Sequence, residues 1–277
     1  MTKIAIIGIG RVGSTTAFCL QIKLPTNALT LIDRNLAKAE GLKFDLIGSF
    51  PQNADKIQVG KYENANDADI IVITAGAFGA PSGSSLWTLN KPIIVDIFSK
   101  IKPKKSCKII IITTPCDRTV HLAQNLTGLD SGNFIGFGGQ LDVNRLKYLI
   151  SNDRKNFSKT IDATFIGEHG KRGIPVFSEP VSNKNKIIND TRNFFSTYLS
   201  EYNASTYGTA SEICTLVEAL LSAQGEVLTV SYYEPKHGIF VTWPCRVNKS
   251  GIKPIELELS SEEQKELAIL IENRKKE

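Results

Sequence analysis

The chain has 277 residues, 42% hydrophobic and 22% charged, which suits one large domain or two moderate ones and excludes a disordered chain. Its net charge of +5 is mild. The basic residues are scattered apart from Lys102, Lys104, Lys105 and Lys108 and a terminal Arg274, Lys275 and Lys276, which read as solvated surface and a charged tail, so no nucleic-acid partner is expected.

The first half alternates strand-like and helix-like segments. Lys3–Gly8 is a short apolar run, and Arg11–Lys23 follows with Val12, Thr16, Cys19 and Leu20 at helical spacing, stopped by Pro25. Ala28–Asp33 is strand-like, and Asn35–Ser49 is a helix with Leu36, Ala39, Leu42 and Leu46 on one side. Lys56–Val59 is a weak strand and Asp69–Thr74 a strong one. Leu86–Ile101 is a helix in which Pro92, near the start, should cause a kink or mark the first turn. Lys108–Thr113 is a strand, Asp117–Asn125 a helix, and Asn133–Gly136 the closing strand. Continuous apolar strands between amphipathic helices predict a parallel sheet covered on both faces, a doubly wound (Rossmann) α/β domain over residues 1–138.

The boundary falls in Gly136-Phe-Gly-Gly139, and residues 139–277 read as an α+β domain. Leu141–Ser151 is a helix, Thr160–Gly167 a strand, Lys186–Tyr202 mixed turn and helix, and Ala210–Ala223 an amphipathic helix. Leu228–Tyr233 and Gly238–Trp243 are strands, and Ser260–Arg274 is a final helix opened by the cap signature Ser260-Ser-Glu-Glu263. Cys19, Cys107, Cys116, Cys214 and Cys245 are odd in number and include no Cys-x-x-Cys pair, so neither a disulfide framework nor a metal site is expected. With no secretory signal and no apolar run of membrane-spanning length, a cytoplasmic protein without membrane contact is expected.

Gly8-Ile-Gly10-Arg11-Val12-Gly13 joins the first strand to the first helix, and Asp33 stands at the end of the second strand. A lone glycine triplet is weak evidence; this context gives it meaning. Gly8 permits the tight turn, Gly10 lets backbone approach a pyrophosphate, and Gly13 permits close helix packing. Amides at the helix start face the anion. Asp33 can accept hydrogen bonds from ribose hydroxyls and repels a 2′-phosphate, which predicts NAD rather than NADP, although Arg34 next to it weakens that discrimination. Thr74-Ala75-Gly76-Ala77 ends the strong strand at the side where such a sheet binds ligands.

Among three histidines, His121 lies on a helix and His237 in a Lys-His-Gly turn. His169, in Gly167-Glu-His-Gly170, is sterically open, although a lone histidine is more often structural. Asp142 and Arg145 share a helical face in Leu141-Asp-Val-Asn-Arg145, a pattern that also fits a capped helix with an internal ion pair.

Taken together, Gly8-x-Gly10-x-x-Gly13, Asp33, Asp45-Leu46, Thr74-Ala-Gly-Ala77, Leu141-Asp142-x-x-Arg145, Gly167-Glu-His169-Gly170, Ser205-Thr-Tyr207 and Leu216-Val-Glu-Ala-Leu220 resemble the lactate/malate dehydrogenase family along nearly the whole chain. Ser205-Thr-Tyr207 is closer to the malate-type branch, and Glu256–Ser261 resembles the family's terminal strand and helix start. The resemblance implies that His169 shuttles the hydroxyl proton, Asp142 holds His169, and Arg145 binds the carboxylate of a small 2-oxo or 2-hydroxy acid. It also implies a homo-oligomer, dimer or tetramer, formed through the Asn35–Ser49 helix.

Two departures stand out. The family carries basic residues in a mobile loop after Thr74-Ala-Gly-Ala77, yet from Asp69 through Asn90 this chain has no Arg or Lys. Thr114-Pro115 stands where the family usually has Asn-Pro, near nicotinamide and substrate. Three expectations follow from the missing charge: a less charged substrate covered by Phe78 or Trp87, a positive group brought from elsewhere, or an NAD-binding protein with little or no turnover.

Overall fold

The computed structural model describes residues 1–25, 27–77, 85–152, 162–194, 197–198 and 205–276. β1 (Lys3–Ile7), β2 (Ala28–Ile32), β3 (Ile57–Gly60), β4 (Ile70–Ile73), β5 (Lys108–Ile111) and β6 (Phe134–Gly136) alternate with α1 (Arg11–Lys23), α2 (Leu36–Ser49), α3 (Leu86–Lys100) and α4 (Cys116–Thr127). The six strands are parallel, in the order β3-β2-β1-β4-β5-β6. This is the doubly wound order expected.

The apolar runs cover both faces because successive side chains point to opposite sides. Ile4, Ile6, Leu29, Leu31, Ile70 and Val72 meet Ala17 and Leu20 of α1 on one face. Ala5, Ile7, Ile71, Ile73, Ile109 and Ile111 meet Ile94 and Ile97 of α3 and Val120 of α4 on the other. Each buried aliphatic side chain contributes about 1.5–3 kcal/mol relative to exposure. Asn35 caps α2 by accepting from the Lys38 amide, and Gly128 closes α4 in the left-handed conformation. Pro92 falls in the second turn of α3 rather than the first, still inside the helix.

The second half comprises α5 (Gly139–Asn152), β7 (Ala163–Ile166), β8 (Ile174–Phe177), α6 (Lys184–Arg192), α7 (Tyr207–Leu221), β9 (Glu226–Glu234), β10 (Ile239–Asn248), β11 (Gly251–Pro254) and α8 (Ser261–Lys276). β6 is not the closing strand. β9 pairs antiparallel with it at Gly136 and Ser231, and β10 and β11 follow, so one nine-stranded sheet runs through both halves. From the second half, α7 brings Ile213, Val217 and Leu220 onto the same face as α1. β7 and β8 form a separate antiparallel pair.

β8 and β11 were not anticipated, and the terminal strand expected at Glu256–Ser261 is absent: residues 255–260 are irregular and α8 begins at Ser261. The cap of α8 is as expected, with Ser260 and Glu263 exchanging side-chain and backbone bonds of 2.8 and 3.3 Å. Among the described residues, no helix is long and apolar enough to cross a membrane, and no cluster of metal-ligating side chains occurs. All five thiols are free.

Candidate active site

The glycine turn follows β1 directly. At Gly8 (φ +100°) a Cβ would run into the Ala75 backbone, and at Gly13 it would strike the Gly8 carbonyl and stand 2.7 Å from Thr74 Oγ1. These close approaches are why α1 can begin at Arg11, tight against the sheet. Thr74 reinforces the seam: its hydroxyl donates to the Gly8 carbonyl (2.6 Å) and its amide to the Ile7 carbonyl (2.9 Å). Gly10, in contrast, faces open space, and no side chain caps α1 there. Arg11 is exposed and Val12 packs on the core. The turn therefore leaves a bare helix N-terminus beside a cradle free of side chains, which fits a pyrophosphate.

Asp33 follows β2. Its carboxylate accepts from the Ile9 amide (2.7 Å) and the Asn35 amide (2.9 Å), so it stitches the glycine turn to the second strand. Its side chain is partly exposed, and a carboxylate accepts further bonds.

Two loops after β4 and β5 form the floor. Asn90, buried in the second turn of α3, accepts from the Ala77 amide (2.6 Å) and donates to the Thr114 carbonyl (2.6 Å). Thr113 donates to the Ala75 carbonyl at 2.7 Å. Ala75 is half-buried while Gly76 and Thr114 are exposed, at the carboxyl ends of the strands. Phe78 lies outside the described residues, as does the basic-residue-free stretch 78–84. Trp87, the other side chain expected over an apolar substrate, has the Arg118 guanidinium 4.2 Å from its ring centre and Lys91 at 5.8 Å.

His169, Asp142 and Arg145 come together. Asp142 Oδ2 lies 2.7 Å from His169 Nδ1 and accepts the Gly170 amide at 2.9 Å; Asp142 Oδ1 lies 3.4 Å from Arg145. The imidazole rests on the turn after β6: a Cβ on Gly138 would stand 2.5–2.8 Å from its ring atoms. This places His169 at the carboxyl edge of the sheet with its side chain 25% exposed. Burial works against the imidazolium, but Asp142 and Asp117 outweigh it and hold His169 above its ordinary value. Burial likewise favours a neutral Asp142, and His169 with the Gly170 amide and Arg145 holds it below the usual carboxylate range. Arg145 is 13% exposed, donates to Ser205 Oγ (2.9 Å) and stacks 4.9 Å from the Phe194 ring.

Sequence reasoning missed a second anchor. Asp117, 2% exposed, accepts the His169 amide (3.2 Å) and the Thr242 hydroxyl (3.1 Å). Thr242 of β10 also bridges Gly167 by two backbone bonds of 2.8 and 3.1 Å. This carboxylate, two residues after the cis Thr114-Pro115 peptide, was visible only as a helix-start residue. Arg274, expected in a solvated tail, is buried. His121 packs on Phe240 and His237 bonds within its own turn. On α2, Leu46 is buried in its own core and is unavailable to a partner, while Phe44 is 71% exposed.

Comparison with known proteins covers nearly the whole chain. Residues 2–136 match the model for the lactate/malate dehydrogenase NAD binding domain, and residues 139–277 match that for the lactate/malate dehydrogenase alpha/beta C-terminal domain. An L-lactate dehydrogenase of Priestia megaterium is 33% identical over 292 residues, covering 96% of this chain and 92% of its own. The malate dehydrogenase of Aeropyrum pernix superposes with a TM-score of 0.87 at 28% identity, covering 99% of this chain and 96% of that one. The Archaeoglobus fulgidus malate dehydrogenase, solved with NADH, gives 0.86 at 27% identity, covering 99% and 98%.

Proposed function

The chain belongs to the lactate/malate dehydrogenase family, and from that premise we propose that it is an NAD-dependent oxidoreductase interconverting a small 2-hydroxy acid, of malate or lactate type, and its 2-oxo acid. The observation that carries this reading is the joint engagement of Asp142 with His169 (2.7 Å) and Arg145 (3.4 Å) at the sheet edge that also carries the glycine turn.

The bare cradle at Gly10, the N-terminus of α1 and the Asp33 carboxylate fit a dinucleotide without a 2′-phosphate. When bound, the nicotinamide supplies the hydride acceptor or donor. The chain's own groups do the rest. Asp142 accepts from His169 Nδ1–H, which fixes the tautomer and leaves Nε2 to exchange a proton with the substrate oxygen. Arg145 presents its guanidinium to the substrate carboxylate, a planar fork held by Asp142, Ser205 and the Phe194 ring. Asn90 keeps the two floor loops together, and Gly76 and Thr114, exposed at the carboxyl ends of the strands, would line the cofactor's nicotinamide end. The protein assembles as a homo-oligomer through the exposed Phe44 face of α2, in the cytoplasm.

The absence of Arg and Lys from Asp69 through Asn90 favours a second reading, an NAD-binding family member with little catalysis, because losing a charge-assisted donor to the reacting oxygen costs on the order of 100-fold or more. A panel of 2-oxo acids, including oxaloacetate, pyruvate and bulkier analogues, assayed with NADH and NADPH separates the two. The dehydrogenase reading requires NADH oxidation with at least one acid and its loss in His169→Asn. NADH binding with no turnover across the panel establishes the second reading.

A further inference from the structure

Asp117 is a buried charge that the proposed reaction leaves without a role. It lies in the first turn of α4, 2% exposed, and holds two donors at once. One carboxylate oxygen accepts the His169 amide (3.2 Å) and the other accepts the Thr242 hydroxyl (3.1 Å). Both partners donate, which is what an ionised carboxylate needs. Thr242 on β10 in turn holds Gly167 through its own amide and carbonyl, at 3.1 and 2.8 Å. One side chain thus ties off both ends of Gly167-Glu168-His169, the short turn that follows β7 and delivers the imidazole.

The next amide is held by a different helix. Asp142 of α5 accepts Gly170 N–H (2.9 Å) and His169 Nδ1 (2.7 Å). Consecutive amides therefore end on carboxylates from α4 and α5, with the ring between them. The charged groups facing the imidazole are Asp142 and Arg145 from α5 and Asp117 from α4. Its own segment adds the exposed Lys171 and Glu168, and Glu168 is met by Arg172 at 2.8 Å and by the charge of Arg274 from α8. Around the ring this leaves two carboxylates and one guanidinium, a set that an imidazolium balances and a neutral ring does not. In the proposed reaction Arg145 is engaged by the substrate carboxylate, so the two aspartates govern the ring. With no Arg or Lys from Asp69 through Asn90, the imidazolium carries more of the work at the reacting oxygen.

We propose that Asp117 is a positioning residue that keeps His169 in its imidazolium form: one oxygen fixes the histidine's main chain, the other braces it on β10, and the charge adds a second anion beside the ring. The inference rests on the catalytic role given to His169 above. Without that charge the ring gives up its proton at lower pH.

Asp117→Asn tests this with the shape retained, because the amide oxygen can accept His169 N–H and the NH2 can donate to the Thr242 hydroxyl. The chain has only three histidines, so NMR titration of the imidazole signals in the whole unliganded protein, assigned by single His→Gln variants, reads the ring directly. The His169 midpoint should fall by about half a unit or more, a modest effect for one nearby charge at an effective dielectric near 20. His237, bonded within its own turn, should stay in place as the reference. Each half unit removes about threefold of the protonated ring above the midpoint, so 2-oxo acid reduction with NADH should fall about threefold there and be retained below it. An unmoved His169 midpoint, or an equal loss of rate at every pH, overturns the proposal. Should Asp117→Asn fail to fold, Thr242→Val decides, since it removes one donor and keeps the charge. The His169 amide should then exchange its hydrogen about 2- to 10-fold faster, the loss of one net hydrogen bond, with no fall in the imidazole midpoint. Exchange no faster than in wild type, or a falling midpoint, overturns the proposal. A wild-type protein without turnover whose His169 still follows these shifts removes the dehydrogenase reading and leaves the hold of Asp117 on the imidazolium standing.

Discussion

Asp142→Asn is the most demanding test of the site. The Asp142 carboxylate accepts three bonds, from His169 Nδ1 (2.7 Å) and Gly170 N–H (2.9 Å) on one oxygen and from Arg145 (3.4 Å) on the other. An asparagine has one acceptor and one donor end, and every partner here donates. If the amide NH2 faces Arg145, donors oppose donors. If it faces His169, the ring must turn to the tautomer with hydrogen on Nε2, which cannot take a proton from the substrate. At about 4 Å and an effective dielectric near 20, opposite unit charges attract by about 4 kcal/mol before desolvation is subtracted, so removing the carboxylate also weakens the imidazolium. General acid–base catalysis contributes about 100- to 10,000-fold, and kcat should fall within that range. NADH absorbance with the best 2-oxo acid, measured across a pH series, reads the effect. The His169 limb should move to lower pH. A variant within about fivefold of wild type at every pH, with an unmoved limb, would show that Asp142 does not orient or charge the histidine.

Gly13→Ala adds a methyl against the Gly8 carbonyl and Thr74 Oγ1; overpacking of this kind costs about 1–3 kcal/mol, and thermal melts should fall together with NADH affinity in fluorescence titration. The wild-type pH profile carries the sign of the His169 shift: its folded pKa lies above the ordinary 6.5, so kcat/KM for hydroxy-acid oxidation should climb through an apparent pKa above that value, and 2-oxo acid reduction should decline over the same interval. The same shift makes the Asp142–His169 pair stabilising below the ordinary imidazole value and progressively lost as pH rises through the folded one. On the acid side the lowered Asp142 keeps its contribution above the ordinary carboxylate value and loses it as pH falls through its own. An oxidation limb at or below the ordinary imidazole value contradicts the assignment.

The legible parts of this protein are those in which chemistry and chain are local. The glycine turn, its helix and Asp33 lie within one strand–helix–strand unit, and Asp142 with Arg145 within one helical turn. Convergence of His169 on them depends on Gly167, just past β7, bridging to Thr242 of β10, a contact between distant segments with no local signature. β8 escaped because Ile174-Pro-Val-Phe177 is four residues long and carries a proline. Asp117 was hidden because an acidic residue in a first helical turn already has a sufficient explanation as a dipole partner. Arg274 was hidden for the opposite reason: a basic C-terminal run is ordinarily solvated, and only the packing of Leu270 against Gly167 turns that residue inward.

The pairing of β9 with β6 has a consequence for the protein as a pair of modules. A nucleotide-binding half cut away after residue 138 would lose the strand that covers β6 and the α7 side chains that seal one face of its sheet. What remained would present a naked strand edge and an uncovered apolar face, both invitations to self-association. Neither half owns its boundary, and His169 is held where the two share a single sheet.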